Sequence, residues 1–370
     1  MPHDPYKALY IHIPFCVKRC GYCDFCTSAV ARDAPEMDDY VEDLVMQIRR
    51  KSKEGELGAL ETVYIGGGTP SHLGLSRLSS LLYALALSMH LTPEVECTME
   101  ANPESLTERM VHDIWAMGVN RLSLGVQSFD DDVLAILGRA HTAQEAIDAV
   151  KMAKGRFENV SVDLMAGIPG QSAESFIRSV ETAIELGVKH VSVYPLAIEP
   201  GTPFDRAIMR GQMEEPDEDV EADMMEAAGR ILQSAGFHRY EVANYALPGF
   251  ESRHNSAYWS GVPYLGLGRS ATTMTQNRER RMRVCDGQVV DDLNPAQMRA
   301  EDLMLAMRMA QGVSCGQLQE AAELLPQVPQ VFQQLQELGL VACEEGRFRP
   351  TERGWLCGNE LYGRILDLAP

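Results

Sequence analysis

The chain is short of positive charge: 33 Lys and Arg residues stand against 53 Asp and Glu, for a formal net charge of -20. Binding a phosphate backbone needs a basic footprint, so nucleic acid is excluded as the main partner and an acidic enzyme-like surface is expected. Long apolar runs are missing as well. The apolar-rich stretch 81–89 falls far short of the roughly 20 residues a spanning helix requires. The opening MPHDPYKALYIHIPF has no basic segment followed by an apolar one. Both absences predict a cytoplasmic protein with at most peripheral membrane contact. The nine cysteines form no secreted disulfide framework, since four crowd into 16–26 while Cys97, Cys285, Cys315, Cys343 and Cys357 are scattered. There is no low-complexity tract and no internal repeat. What is present is a 370-residue globular chain, 45% hydrophobic, long enough for one large domain and a smaller one.

Six short β-type runs, 9–13, 62–65, 95–99, 121–126, 160–164 and 190–194, alternate with helical patterns. Met37, Tyr40, Val41, Leu44, Val45 and Ile48 recur every three or four residues and so share one helix face. Ser105 with Glu108, and Thr142 with Glu145, fit the reciprocal capping pattern that starts a helix. Repeated β-α units predict an α/β fold, an incomplete (β/α)6 barrel over 1–205 with its functional groups at the C-terminal strand ends. Residues 206–293 read as a mixed extension, with an acidic helix at 214–233 and a Gly- and aromatic-rich stretch at 236–271. From 294 to 370 the pattern is helical and winged-helix-like, LQELGLVACEEGRFRPTERGW giving a helix, a two-stranded wing and a helix. This module carries about as many acids as bases, so a packing or partner role is expected in place of DNA binding. Arg278, Arg280, Arg281 and Arg283 are expected on a solvated strand face.

The segment YIHIPFCVKRCGYCDFC places Cys16, Cys20 and Cys23 at C-x3-C-x2-C spacing in the loop after the first strand. Three thiolates from one loop can hold three corners of a [4Fe–4S] cubane and leave one iron open to a chelating molecule. S-adenosylmethionine fits that position through its amino and carboxylate groups, and an electron passed to its sulfonium breaks a carbon–sulfur bond. The cysteines alone also allow a structural zinc with Cys26 as fourth ligand, or a closed electron-transfer cluster using all four.

C-x3-C-x2-C after the first strand, followed by GGGTP after the second, resembles the radical S-adenosylmethionine superfamily. YIHIPFC, YIGGGTPS, EANPE, GVNRLSLGVQSF, LGRAH, DLMAGIPGQ, YPLAIEPGTPF and RHNSAYWSGVPYLGLG, between 10 and 268, resemble its oxygen-independent coproporphyrinogen III oxidase group. Within that group the chain is most similar to the HemW-type haem chaperones. Phe25 stands where the oxidase pattern has a further cysteine, fifteen residues precede Cys16, and HNSAYW at 254–259 fits their H-N-x-x-Y-W signature. Two departures are Cys26, one place beyond the oxidase's fourth cysteine, and Arg269, where a small residue is expected.

The resemblance implies that Tyr10 lies beside the cluster-bound cofactor and Tyr22 on its adenine side. Gly67 and Gly68, lacking Cβ, would let backbone groups approach the methionyl amino group, and Thr69 adds a hydroxyl; a plain strand-to-helix turn is the alternative. Glu100 can accept from the cofactor's amino or ribose hydroxyl groups. Gln127, Arg139 and Asp163 offer further polar contacts, with Arg139 suited to pair a carboxylate bidentately. His254 is the expected axial ligand to haem, with Tyr258 and Trp259 as flat apolar surface and Arg253 or Arg269 for the propionates. The alternative there is a rigid corner in which His254 and Asn255 satisfy backbone groups. The implied partners are haem or another tetrapyrrole, an electron-donor protein and a haem-receiving respiratory protein. The rival function is radical decarboxylation of coproporphyrinogen III or a related radical reaction.

Overall fold

The computed structural model describes residues 3–89, 92 and 94–370. All six expected runs are strands: β1 (Ala8–Ile13), β2 (Thr62–Gly67), β3 (Glu96–Ala101), β4 (Arg121–Gln127), β5 (Asn159–Ala166) and β6 (His190–Pro195). They pair in parallel in chain order. A seventh parallel strand, β7 (Tyr264–Leu267), adds to the outer edge of β1. Its four residues, one of them Gly266, are too short a run to stand out within an irregular stretch. Antiparallel strands extend both edges into one open sheet, of 12 strands among the described residues.

Side-chain alternation divides the sheet into two faces. One carries Leu9, Ile11, Val63, Ile65, Met99, Leu122, Leu124 and Val162, all buried in the main core with Met37, Val41, Leu44 and Ile48 of α1 (Glu36–Lys53). The other carries Tyr10, Tyr64, Glu100, Ser123 and Asp163, a polar interior for a barrel that does not close. Thr142 and Glu145 form the expected capping box, but the helix Glu108–Ala116 is capped by Thr107. Ser105 is instead buried, its hydroxyl 2.5 Å from that of Ser71.

The acidic helix α3 (Glu218–Ser234) follows β6, and α2 (Asp131–Leu137) precedes the Arg139 turn. From α5 (Pro295–Ala306) onward a second core forms around Leu303, Met307, Phe332, Leu335 and Leu361. Its wing has three strands, Val313–Ser314 joining Val341–Glu344 and Arg347–Pro350. The arginine run is not simply solvated. Arg281 is 2% exposed and ion-paired to Glu301 and Asp302 of α5, which ties the sheet edge to this second unit.

Candidate functional site

Loops at the C-terminal strand ends enclose a cavity of about 340 Å³, and Cys16, Cys20 and Cys23 all line it. Eight of the nine residues expected around the cofactor line it too: Tyr22, Gly67, Gly68, Thr69, Glu100, Gln127, Arg139 and Asp163. Tyr10 does not. It lies deeper in the barrel, 2.9 Å from Nδ1 of His12, with its ring 6.2 Å from that of Tyr64. Cys26 is exposed and is not part of the lining; its carbonyl meets Nε2 of His12 at 3.1 Å, so this imidazole ties the end of the cysteine loop to β1.

The cysteine loop and the glycine loop touch directly. The Gly68 N–H donates to Ile13 O at 2.7 Å and the Thr69 N–H to Phe15 O at 2.8 Å. A Cβ on Gly68 would stand 2.8 Å from both Ile13 O and Phe15 O and 3.0 Å from Cys16 Sγ, so only glycine permits this approach. Gly67 has φ +111°, and a Cβ there would fall 2.5 Å from the His12 ring. Its N–H donates to Glu100 Oε2 at 3.0 Å. The glycines are therefore a packing device between loops as much as an opening toward a ligand.

Donors converge on the sulfurs. The Thr69 hydroxyl donates to Cys16 Sγ and Arg139 Nη1 to Cys20 Sγ, each at 3.5 Å. Arg139 is aimed into the cavity because Gly138, left-handed at φ 74°, reverses the chain at the end of α2. Within the chain it donates through Nη2 to Asn102 Oδ1 at 2.8 Å and Gly125 O at 2.5 Å, while its buried Nε has no partner among the described residues. Asn102, which also donates to Thr69 Oγ1 at 3.0 Å, was not singled out. Its position two residues past Glu100, within EANPE, was the available signal. Gln127 holds φ +68°, an unusual backbone for a non-glycine residue at the cavity wall.

Burial dominates the cavity's electrostatics. It pushes the Glu100 carboxyl up to about 7 against the Tyr64 hydroxyl at 2.7 Å and the Gly67 N–H, which both favour the anion. Burial likewise raises Asp163, with Ser192 and Arg121 opposing. Three thiols on one loop, a cation and a hydroxyl donating to two of them, and an open cavity beside half-buried carboxyls are a donor set that fits a three-cysteine iron–sulfur cluster with a small-molecule ligand.

His254 lies elsewhere. It opens α4 (Arg253–Trp259), where the Glu96 carboxylate accepts from the Arg253 and His254 N–H groups at 2.9 Å each. Its ring is 2% exposed inside the barrel, 5.0 Å from that of Tyr64, with Nδ1 2.9 Å from Thr62 Oγ1 at the start of β2. Burial holds its pKa down at about 3, so the imidazole is neutral, and Nε2 has no partner among the described residues. The ring is buried, not presented at the surface, and the rigid-corner alternative is not what holds it, because Nδ1 meets the Thr62 hydroxyl and not a backbone group. Arg253 donates to Glu94 O at the bottom of the sheet, while Arg269 sits over the Tyr40 ring near β7's end; neither stands beside Trp259. No helix among the described residues is long and apolar enough to cross a membrane.

Comparison with known proteins agrees with this arrangement. The family model described as Radical SAM superfamily matches residues 10–183, and the HemN C-terminal domain model matches 293–357. The haem chaperone HemW of Bacillus subtilis is 34% identical across 97% of this chain and 99% of its own length. The haem chaperone HemW of Escherichia coli is 40% identical across 72% of this chain and 70% of its own. Among solved structures, the coproporphyrinogen III oxidase HemN from Escherichia coli, a radical SAM enzyme, superposes with a TM-score of 0.81 over 99% of this chain and 91% of that one. At 21% identity that likeness is one of fold.

Proposed function

This chain belongs to the HemW family of haem chaperones within the radical S-adenosylmethionine superfamily, and from that premise we propose that it carries haem in the cytoplasm for delivery to respiratory proteins. In this reading a [4Fe–4S] cluster is held by Cys16, Cys20 and Cys23, and S-adenosylmethionine occupies the same cavity. The observation that carries the cofactor half is the meeting of those three cysteines with eight expected contact residues around one cavity.

One-electron reduction of S-adenosylmethionine is the chemistry such a cluster supplies when bound, with an electron-donor protein as the implied source. The chain's own residues do the positioning. Arg139 and Thr69 hold the cysteine loop against the glycine loop, and Glu100 presents a half-buried acceptor for an ammonium or hydroxyl group. Tyr22, packed edge-on against Phe204, covers one side of the cavity from water.

The deciding experiment is anaerobic reconstitution of the full chain, followed by parallel haem titration and coproporphyrinogen III turnover. Stoichiometric haem uptake without decarboxylation is the expected result. Decarboxylation at enzymatic rates would replace the chaperone reading with the oxidase.

A further inference from the structure

β4 does not end as a regular strand. Its register against β5 slips between Leu124 and Gln127, and Gln127 takes φ +68° while the Ser128 N–H donates back to Val126 O at 2.9 Å. A bond from residue i+2 to residue i around a positive φ is the rare, strained form of γ-turn, and here the central residue is not glycine. Such a conformation persists only where its surroundings over-determine it. Gln127 is also a wall residue of the cofactor cavity.

One short turn supplies the over-determination. Gly138 to His141 grips two successive carbonyls at the end of β4: Arg139 Nη2 donates to Gly125 O at 2.5 Å, and His141 Nε2 meets Val126 O at 3.1 Å. The His141 side chain is fully buried, and its other nitrogen, Nδ1, lies 3.2 Å from Glu104 Oε2 in the loop after β3. Burial pushes the Glu104 carboxyl up, but the His141 hydrogen bond and the Arg139 charge outweigh it and hold the group below the usual carboxylate range. The turn itself is fixed on both sides, by left-handed Gly138 before it and by the Thr142 capping box after it.

Gly125 completes the arrangement. A Cβ there would stand 2.8 Å from Asn102 Oδ1, 3.3 Å from Gln127 Nε2 and 3.5 Å from Arg139 Nη2. Its absence lets polar side chains from three segments converge at one part of the cavity wall.

We propose that His141 is a positioning residue of the cofactor site, which holds the γ-turn at Val126–Ser128 and so sets the Gln127 amide as a contact for the bound molecule. The inference rests on S-adenosylmethionine occupying this cavity, and it adds which buried side chain, itself outside the lining, shapes the wall. Strain at Gln127 is the cost of the fixed amide.

The test uses the reconstituted full chain, with S-adenosylmethionine affinity from anaerobic equilibrium dialysis, iron content, and melting of the apoprotein. His141→Leu should bind about tenfold more weakly, the worth of one hydrogen bond, with parental iron content. His141→Gln, which keeps an amide N–H for Val126 O, should recover part of that loss. In a Gln127→Ala background, itself weakened about tenfold, His141→Leu should cost little more, because it acts through the amide already removed. A histidine that only stabilises the fold predicts the same further loss in both backgrounds. Strain has its own readout: Gln127→Gly should melt above Gln127→Ala, the reverse of the order at a position with negative φ. A parent that binds no S-adenosylmethionine sinks the cofactor reading and this one together. A parent that binds it while His141→Leu keeps full affinity, or loses affinity equally in both backgrounds, overturns the role of His141 alone. Gln127→Gly melting below Gln127→Ala overturns it too. Should His141→Leu not fold, His141→Asn, too short to reach Val126 O, takes its place in the same comparison.

Discussion

Lowering the pH from 8 to 6 should weaken S-adenosylmethionine binding about tenfold through Glu100 alone. Its carboxyl is half-buried at the cavity wall and held at about 7, against an ordinary value of 4.5, because desolvation outweighs the donors Tyr64 and Gly67. That displacement corresponds to about 3 kcal/mol set against the anion. Roughly nine-tenths of Glu100 is then ionised at pH 8 and one-tenth at pH 6, and only the anion is a strong acceptor for the ligand's ammonium or ribose hydroxyl. Asp163, also raised by burial and on the same wall, acts in the same direction. The ligand's own amino group titrates in this range as well. Glu100→Gln, neutral at every pH, reports that contribution, and the ratio of the two affinities isolates the carboxylate. Stability supplies a second readout with a defined sign. A carboxyl with a raised folded pKa is more protonated folded than unfolded, so its stabilisation is complete below about pH 4.5 and lost as the pH rises through 7. Relative to Glu100→Gln, the parent apoprotein should therefore lose up to about 3 kcal/mol across that window. Anaerobic equilibrium dialysis and chemical denaturation at matched pH measure the two effects. A parent-to-variant affinity ratio that stays flat between pH 6 and 8 would refute the assignment of Glu100 as a ligand acceptor.

Replacing Cys16, Cys20 or Cys23 by Ala should abolish the cluster, whereas Cys26→Ala should retain it, because Cys26 is exposed and does not line the cavity; iron and sulfide content after reconstitution checks both. Gly68→Ala should cost about 1–3 kcal/mol and much of the iron content, since its Cβ would press on two carbonyl oxygens and on Cys16 Sγ. A Gly68→Ala protein with parental melting and iron would show that the two loops can separate freely. His254→Leu should leave the cluster intact while lowering stability by about 1–3 kcal/mol through the unpaired Thr62 hydroxyl. Because the folded His254 pKa is depressed to about 3, the parent should also lose stability relative to this variant as the pH falls from 6.5, by about 2 kcal/mol at pH 5. If His254→Leu melts like the parent yet loses haem and shifts the Soret band, the histidine is a ligand reached by withdrawal of α4.

The cofactor cavity was legible because its signals are local. Each of the loops after β1 to β5 follows an apolar run, and in a parallel sheet all such loops gather at one end, so residues distant in the chain are brought together by topology alone. Tyr10 and Arg139 show where that reasoning stops. Which side of a strand faces a ligand follows from alternation, but how deep Tyr10 sits along β1 does not. Arg139 is a cation in the right loop, yet its partners are the Gly125 carbonyl, the Asn102 amide and a cysteine sulfur, because Gly138 turns the chain back toward the barrel. β7 was missed for a different reason: four residues of strand carry too little pattern, and its pairing to β1 is set by the fold around it.

The segment HNSAYW was the hardest to read, because a helix distributes neighbours in sequence onto different sides. Asn255 and Trp259, four residues apart, share a side and line a large cleft between β6 and the C-terminal unit; His254, about 100° away, turns into the barrel beneath Tyr64. Tyr258 serves both, its ring 5.1 Å from that of His254 and its surface in the cleft wall. The six letters read as one unit therefore split into an anchor and a wall. The anchor is fastened at its first turn by Glu96 and Thr62, which open β3 and β2, and the wall is fastened by Glu241 and Arg308 on the side of the C-terminal unit. A displacement of α4 would thus disturb the barrel interior and the cleft together, because this short helix joins the strand starts, beneath Tyr64 and Glu100, to the cleft wall on the side of the C-terminal unit.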